Sequence, residues 1–395
     1  MGLNDTPSGE RLHIGFFGCR NAGKSSLINA FTGQKLAVVS DVPGTTTDPV
    51  KKAMELLPLG PVMLIDTPGY DDEGELGEKR VQATKDVLRR CDIAILVTDC
   101  TRSKNDTEEA LTELFKKRNI PYFEVRNKCD LLEEKQKSED NVIFVSAREN
   151  TGITELKNAV AKVKRPEETK KIAGDLVKRG DFAVLVVPID SAAPKGRLIL
   201  PQQQTIRDIL DAGAVAVTVK EDVLEETLKS LGKKPAIVIT DSQVFKFVSE
   251  VVPQDIPLTS FSILMARHKG FLETAVKGAR KLDEIKDGSK ILISEGCTHH
   301  RQCEDIGTVK LPRLIRKYTN SEPSFSFTSG GEFPEDIEKF DLIIHCGGCM
   351  LTPAEMGYRM QQAVNSGVPF TNYGTAIAHM NSILERSISV LPEFR

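Results

Sequence analysis

Short apolar runs alternate with amphipathic segments along the first 165 residues of the chain. The runs are typical of buried strands, and the segments between them repeat apolar residues at helical spacing. The strand-like runs are IGFF, VMLI, IAILV, YFEV and VIFV. This alternation predicts βα units on a mainly parallel sheet. The charged stretch KVKRPEETKKIAGDLVKRGD, at residues 162–181, then interrupts the pattern and indicates a boundary.

Two shorter sets of strand and helix patterns follow. The runs FAVLVVPI, AVAVTV and PAIVIT belong to the first set, and KILIS, SFSFT and FDLII belong to the second. We therefore predict an α/β protein with an N-terminal domain at 1–165, a linker at 166–181, and two smaller α/β domains with mainly parallel sheets at 182–265 and 266–395. The middle block carries no cluster of reactive side chains, which favours a role in packing or self-association.

A phosphate-binding loop is predicted between the first strand and the first helix. Residues 18–25, GCRNAGKS, fit the P-loop pattern GxxxxGK[ST] in the strand–loop–helix context that this motif requires. In such a loop, backbone N–H groups surround the phosphates and the lysine, here Lys24, reaches the β and γ oxygens. The hydroxyl of Ser25 would ligate Mg²⁺. The motif therefore predicts a nucleoside triphosphate site.

Three further motifs favour GTP over ATP. DTPG at 66–69 follows the strand VMLI, which places Asp66 to hold Mg²⁺ through water and Gly69 to contact the γ-phosphate. NKCD at 127–130 follows the strand YFEV, and its aspartate can accept both the N1–H and the exocyclic amino group of guanine. Adenine offers no such donor pair. The segment SAR at 146–148 ends the next strand and suits the loop that contacts guanine O6.

The first third of the chain resembles the translation-factor-related GTPases, specifically the Era and tRNA-modification subgroup. This resemblance depends on Asn21 in the P-loop, on GTTTD at 44–48 and on DTPG at 66–69. It implies that Asn21 helps to bind K⁺ and that Thr46, with Thr45 as the neighbouring candidate, closes onto Mg²⁺. Tyr70 stands where Ras-type enzymes have a water-orienting glutamine, so we expect slow hydrolysis that K⁺ stimulates.

The motifs and the resemblance together predict a P-loop GTPase domain that uses GTP, Mg²⁺ and K⁺. Its predicted nucleotide-binding residues are Gly18, Asn21, Gly23, Lys24, Ser25, Ser26, Thr45, Thr46, Asp66, Gly69, Asn127, Lys128, Asp130, Ser146 and Ala147. The predicted catalytic residues are Lys24, Thr46, Asp66 and Gly69. The Mg²⁺ ligands would be Ser25 and Thr46.

Cysteine and histidine are concentrated in two groups near the end of the chain. EGCTHH at 295–300 follows the strand KILIS, and HCGGC at 345–349 follows the strand FDLII. If these strands are parallel neighbours, their carboxyl ends meet at the edge where open α/β sheets bind ligands. We therefore predict that three thiols and up to three imidazoles share one pocket.

Zinc and an iron–sulfur cluster are the two chemistries that this set of side chains favours. A structural zinc ion could take a Cys₃His set, although the paired CxxC spacing of zinc modules is missing. Cubane clusters normally have four cysteine ligands, so three cysteines with a weaker ligand would leave one iron exchangeable. Thiols without a metal at the ends of the strands are the third possibility. The spacing alone does not decide between zinc, an iron–sulfur cluster and free thiols.

A potassium-type GTPase joined to this cysteine pattern resembles the HydF family, the maturation GTPases of FeFe-hydrogenases. The resemblance depends on CTH at 297–299, on HCGGC at 345–349 and on the order of the three blocks, and it covers essentially the whole chain. It implies a [4Fe–4S] cluster on Cys297, Cys346 and Cys349. The implied candidates for the fourth ligand are His345, then His299, then a carboxylate such as Glu304 or Asp305.

The same resemblance implies a GTP-hydrolysing scaffold. Such a protein receives a di-iron precursor with CO and CN⁻ ligands from radical-SAM maturases and delivers it to apo-FeFe-hydrogenase. His299, His300, Arg301 and Arg359 are the candidate partners of this anionic cargo. The resemblance also implies a homodimer through the middle block and a conformational role for GTP.

Composition narrows the remaining possibilities. The net charge is −3, and no apolar run approaches the roughly 18 residues of a membrane helix, so neither a nucleic acid nor a membrane is expected as a partner. Eight cysteines and an N-terminus without an export signal favour the reducing cytoplasm. The alternative function is a ribosome- or tRNA-associated GTPase with a structural zinc module. The acidic balance and the lack of tryptophan disfavour it.

Overall fold

The protein is described by a computed structural model. It describes residues 8–33, 50–69, 81, 83–134, 136–139, 141–163, 171–189, 198–296 and 305–395. The chain divides into two compact units, Met1–Glu167 and Glu168–Arg395.

The first unit is built on a six-stranded sheet. Its elements are β1 Leu12–Phe17, α1 Lys24–Thr32, β2 Val50–Leu56, β3 Gly60–Asp66, α2 at 83–88, β4 Ile93–Asp99, α3 Asp106–Lys117, β5 Tyr122–Asn127, β6 Val142–Phe144 and α4 Ile153–Ala161. The strand order is β2-β3-β1-β4-β5-β6. Every neighbouring pair is parallel except β2 and β3.

Helices cover both faces of this sheet, which explains why its central strands are almost continuously apolar. On one face, Phe16 packs edge-to-face on Phe31 of α1, and α4 completes the same core. On the other face, Phe17 packs on Phe115 of α3, together with α2. Neighbouring residues of β1 therefore serve two different cores.

The second unit contains two four-stranded parallel sheets, ordered β10-β9-β7-β8 and β12-β11-β13-β14. The elements of its first part are β7 Phe182–Val186, α5 Leu200–Asp211, β8 Val215–Val219, α6 Leu224–Ser230, β9 Ile237–Thr240, α7 Phe245–Val251, β10 Leu258–Ser260 and α8 Phe261–His268. Those of its second part are α9 Leu272–Ala279, β11 Lys290–Ser294, α10 Leu311–Thr319, β12 Ser324–Thr328, β13 Leu342–His345, α11 Pro353–Asn365, β14 Phe370–Asn372, α12 Tyr373–Met380 and α13 Leu384–Ile388. The predicted α/β class with mainly parallel sheets is confirmed.

One continuous core joins the two sheets of the second unit. It includes Leu185 of β7, Leu264 of α8, Ile343 of β13 and Phe370 of β14. The stretch 166–181 was predicted as a linker, and the structure describes its residues 171–181 as turns that also contribute buried side chains to this core. The predicted domain boundaries stay predictions.

In the part of the chain that the structure describes, every helix is too short or too polar to span a lipid bilayer.

Candidate functional site

The predicted P-loop connects β1 to α1 in a conformation that requires glycine at two positions. Gly18 has a φ of +141°, and a Cβ there would lie 2.2 Å from the carbonyl oxygen of Val97. Gly23 has a φ of +90°, and a Cβ there would lie 2.2 Å from Nδ2 of Asn127. The buried Lys24 ammonium donates to the carbonyl oxygens of Gly18 and Cys19, both at 2.9 Å. The loop therefore holds its positive charge at a fixed place.

Ser25 and Asp66 form an oxygen pair that fits Mg²⁺. The Ser25 hydroxyl donates to Oδ2 of Asp66 at 2.7 Å. Among the described residues, the buried Oδ1 of Asp66 has no hydrogen-bond partner, which is unfavourable unless a cation or water satisfies it. Burial raises the pKa of the Asp66 carboxyl, against the opposing effects of the Ser25 hydroxyl and the Lys24 charge.

The predicted base-recognition residues meet at the same edge of the sheet. Asn127 donates to the carbonyl oxygen of Ala22 in the P-loop at 3.0 Å, and its Oδ1 accepts the N–H of Ala147 at 3.1 Å. The Ser146 hydroxyl donates to Oδ1 of Asp130 at 2.6 Å. Asn127 thus connects the phosphate loop to the base loops, and Asp130 is held in place by Ser146.

Asp99 is a residue of this site that the sequence motifs did not reveal. It ends β4, where its Oδ2 accepts from the Lys128 ammonium at 2.5 Å and its Oδ1 from the Thr101 hydroxyl at 2.7 Å. Although burial raises the pKa of Asp99, these hydrogen bonds outweigh burial and lower it to about 2. A carboxylate at the carboxyl end of the central strand IAILVTD was the signal that could have identified it.

The remaining predicted nucleotide residues divide into two groups. Gly69 lies against the P-loop, since a Cβ there would be 2.5 Å from Cγ of Arg20, and Asn21 has a left-handed φ of +59°. Ser26 lies in the first turn of α1. Thr45 and Thr46 lie outside the described residues. The roles of all these residues in binding stay predictions.

The two strands that precede the cysteine groups are parallel neighbours, which is the arrangement that the predicted shared pocket requires. Ser294 of β11 pairs with His345 of β13, and the N–H of Cys346 donates to the Ser294 carbonyl oxygen at 2.9 Å. Beyond the strands, Sγ of Cys346 accepts the N–H of Gly296 at 3.0 Å and that of Gly348 at 3.3 Å. The strand ends therefore meet at the Cys346 sulfur.

The loop at this edge fits a sulfur-ligated group. Burial raises the pKa of the Cys346 thiol to about 11, but two N–H donors at one sulfur favour the thiolate that binds metal. Gly348 has a φ of +61°, and a Cβ there would lie 2.5 Å from Sδ of Met356, so the turn from Cys346 to Cys349 is closely packed.

The third predicted cysteine follows Gly296 directly, but its position is not described. Cys297, His299, His300, Arg301 and Glu304 lie in the segment 297–304, outside the described residues. Across the ranges that are described, no group of three or more His, Cys, Asp and Glu side chains is placed to hold a metal ion. Asp305 is described, and its carboxylate accepts from Thr308 at the start of a short helix.

His345 was predicted as the first candidate for the fourth cluster ligand, but in the structure its ring contacts other groups of the protein. Its ring is fully buried, with Nδ1 2.8 Å from the carbonyl oxygen of Cys346 and Nε2 3.0 Å from Nη1 of Arg359. Because arginine only donates, Nε2 accepts and Nδ1 carries the proton. Burial, helped by Arg359, lowers the pKa of His345 to about 3. Both ring nitrogens are occupied, which disfavours ligation by His345.

The prediction that Arg359 pairs with an anionic cargo is wrong. The guanidinium is fully buried and donates to Glu355 at 2.8 Å and to the carbonyl oxygen of Gly330 at 2.8 Å, in addition to His345. Its charge is therefore neutralised inside the unit. The Glu355 partner lies one turn earlier on α11, at the spacing of a helical ion pair. The contacts with Gly330 and His345 could not be predicted, because these residues belong to other elements of the fold.

Two curated GTPases are similar to part of the chain. GTPase Der of Kosmotoga olearia is 35% identical over 166 residues, which is 37% of this chain and 37% of that protein. The tRNA modification GTPase MnmE of Thermoanaerobacter pseudethanolicus is 34% identical over 157 residues, which is 38% of this chain and 34% of that protein. The chain thus spans about a third of the length of these relatives.

Among solved structures, Era of Aquifex aeolicus bound to GDP·AlF₄⁻ matches with a TM-score of 0.35 and 18% identity, over 56% of this chain and 98% of that one.

Three family models match consecutive parts of the chain. Residues 13–128 match the 50S ribosome-binding GTPase model, residues 172–270 match the Hydrogen maturase F dimerization domain, and residues 273–390 match the Hydrogen maturase F tetramerization domain. The last two together cover more than half of the chain. The N-terminal unit is a P-loop GTPase domain, and the chain belongs to the HydF family of hydrogen maturases.

Proposed function

We propose that this protein is a GTP-hydrolysing scaffold that carries a [4Fe–4S] cluster and a di-iron precursor and delivers the precursor to an apo-FeFe-hydrogenase. The observation that supports this most directly is the hydrogen bond from the Gly296 N–H to the Cys346 sulfur, at 3.0 Å. This hydrogen bond brings Gly296, the residue before Cys297, to the CGGC loop. Membership of the HydF family is the second support.

Cys297, Cys346 and Cys349 would hold the cluster. When bound, it supplies an iron–sulfur core with one position open to exchange. The N–H groups of Gly296 and Gly348 favour thiolate at Cys346, which suits a metal ligand. Since His345 is held by Arg359, the remaining candidates for the fourth position are His299 and a carboxylate, Glu304 or Asp305.

The nucleotide-binding residues and the cysteine loop belong to different units of the chain. Lys24, Ser25 and Asp66 would bind the phosphates and Mg²⁺, and Asp130 would select guanine. Closure of Thr46 on Mg²⁺ in the GTP state would then change the affinity for partners, since binding energy can shift a conformational equilibrium.

The partners in this proposal are those of a maturation pathway. The dimerization and tetramerization models support self-association, with a homodimer formed through residues 172–270. Radical-SAM maturases would load the precursor and apo-FeFe-hydrogenase would accept it, in the cytoplasm and without a nucleic-acid partner.

An anaerobic activation assay tests the role of GTP. Wild-type protein, loaded by the maturases, should activate apo-hydrogenase, whereas Lys24→Ala should keep its iron content and fail to activate. Lys116→Ala is the matched control, because Lys116 is an exposed lysine paired with Glu113 in the same unit. Full activation by Lys24→Ala would show that nucleotide switching is not essential.

A salt comparison tests the potassium site. GTP turnover should be faster in KCl than in NaCl at equal ionic strength, and Asn21→Ala should remove the difference. Equal turnover of the wild type in both salts would eliminate K⁺ from the proposal.

The alternative is a ribosome- or tRNA-associated GTPase with a structural zinc module. It would be consistent with the name of the model that matches residues 13–128 and with the MnmE relative. It predicts a colourless protein with stoichiometric zinc and GTP-dependent binding to ribosomes or tRNA. A brown protein with broad absorption near 400 nm supports the maturation scaffold instead.

A further inference from the structure

A lysine from outside the cysteine segments contacts the CGGC loop. Lys269 directly follows α8 and is half-buried. Its ammonium donates to the carbonyl oxygen of Gly348 in a short hydrogen bond and to that of Leu351 at 2.8 Å.

These two carbonyl groups bracket Cys349. The N–H of Leu351 donates to the Gly348 carbonyl oxygen at 3.0 Å, so residues 348–351 form a turn around the cysteine. The Lys269 ammonium binds both ends of this turn. Because these carbonyl groups lie on either side of Cys349, the ammonium also places a positive charge next to the cysteine loop. The lysine therefore influences both the shape of the loop and the charge near its sulfur.

The end of α8 is a rigid support for this lysine. Arg267, which is 5% exposed, forms a two-point ion pair with Asp175, with N–O distances of 2.9 and 2.5 Å. It also donates to Glu393 at 3.0 Å. A buried arginine with two carboxylate partners fixes the end of the helix, because breaking such a pair leaves a charge uncompensated.

The contact joins two regions that different family models describe. Lys269 lies in the part that matches the dimerization domain, residues 172–270, whereas the turn at 348–351 lies in the part that matches the tetramerization domain, residues 273–390. Within the second unit, Lys269 is thus a direct connection between the dimerization region and the cysteine loop.

We propose that Lys269 is a positioning residue through which the dimerization region holds the CGGC loop and places a positive charge beside its bound metal cluster. The first half of this proposal, that Lys269 holds the loop, is the loop part, and it does not rest on the proposed function. The second half, that its charge lies beside the cluster, is the charge part, and it does rest on the proposed function. A cluster on three thiolates becomes more negative when reduced, so a nearby ammonium stabilises the reduced form and raises the reduction potential.

Hydrogen exchange of the metal-free protein tests the loop part. The Leu351 amide should exchange about tenfold faster in Lys269→Met, because a hydrogen bond to a charged group is lost at each end of the turn. Lys269→Arg keeps the cation and should restore part of the protection. Lys277→Met, which changes an exposed lysine of α9, should behave as wild type. Unchanged exchange at residues 348–351 in Lys269→Met would overturn the loop part.

A redox titration followed by EPR tests the charge part in the cluster-loaded protein. Lys269→Met should shift the midpoint potential to more negative values, and Lys269→Arg should stay near wild type. A shift of the same size in Lys277→Met, or no shift in Lys269→Met, would overturn it. If the wild type binds no cluster, the proposed function fails, and hydrogen exchange still decides the loop part.

Discussion

At the residue scale, the predicted guanine-recognition site contains one carboxylate, Asp130, that a hydrogen bond within the protein holds in position. Asp130 is held by the Ser146 hydroxyl at 2.6 Å, and Asn127 connects the neighbouring loop to the P-loop. An aspartate that is oriented in advance loses little conformational entropy when it binds guanine. Selectivity for GTP should therefore depend mainly on the charge and acceptor pattern of Asp130.

Asp130→Asn should weaken GTP binding by about 2–4 kcal/mol, because one of two acceptors for guanine becomes a donor. The asparagine amide can instead donate to the C2 carbonyl of xanthine, so XTP should bind better to the variant than to wild type. Titration with fluorescent GTP and XTP measures both effects. Asp106→Asn, an exposed change in the first turn of α3, should leave both affinities unaltered. Undiminished GTP affinity in Asp130→Asn would place base recognition elsewhere.

His13 should make the stability of the first unit depend on pH. It is buried in β1, and burial lowers its pKa to about 4. An unfolded histidine titrates near 6.5, so acid protonates the unfolded chain first, and stability is lost as the pH falls from about 6.5 to about 4.

Wild type should therefore lose about 2 kcal/mol more unfolding free energy than His13→Gln between about pH 7.5 and pH 5. Urea unfolding followed by a probe in the first unit, at both pH values, measures the difference. Equal losses in the two proteins would show that His13 does not change its protonation on unfolding.

At the element scale, close backbone approach decides which helix positions must be glycine. Gly278 of α9 lies against β14, and a Cβ there would be 2.1 Å from the carbonyl oxygen of Phe370. Gly357 of α11 has no heavy atom within 4 Å of its ideal Cβ position among the described residues. The same substitution should therefore have opposite effects in the two helices.

Gly278→Ala should destabilise the second unit by about 1–3 kcal/mol, because α9 must move away from the sheet. Gly357→Ala should stabilise it by about 0.5–1 kcal/mol, because alanine has the higher helix propensity. The two changes in unfolding free energy, measured in urea, must have opposite signs. A shared sign would mean that α9 is not packed on β14 as described.

Sequence patterns predicted these elements where burial acts on both faces of a strand. VMLI, IAILV and FDLII are continuous apolar runs because helices cover both sides of their sheets. The adjacency of β11 and β13, which the predicted shared pocket only assumed, is observed in the structure. The connection through 171–181 did not follow, because its polar composition conceals the few apolar side chains that enter the core.

At the scale of the whole molecule, the two candidate sites differ in how far the sequence predicts them. The nucleotide site consists of local motifs, whereas the cysteine loop also depends on contacts between residues that are distant in sequence. The residues of the nucleotide site could be predicted from the sequence, since each motif follows a strand in a known order, and the structure places Lys24, Ser25 and Asp66 close together. Their roles in binding stay predictions. The contacts of Lys269 could not be predicted, because its partners lie far away in sequence. For Arg359, only the pair with Glu355 on the same helix has a spacing that sequence reveals. The contact with Arg359 holds His345 as a buried ring whose Nε2 accepts a hydrogen bond, so His299, Glu304 and Asp305 are the remaining candidates for a fourth ligand.

In the proposed function, Cys346 and its neighbours hold a single iron–sulfur cluster. Iron and acid-labile sulfide should be measured after anaerobic reconstitution of wild type, Cys346→Ser and the control Cys100→Ser. We expect about four irons and four sulfides per chain in wild type and in Cys100→Ser, with most of both lost from Cys346→Ser. A full complement of iron in Cys346→Ser, or wild type that contains zinc and no iron, would contradict the account.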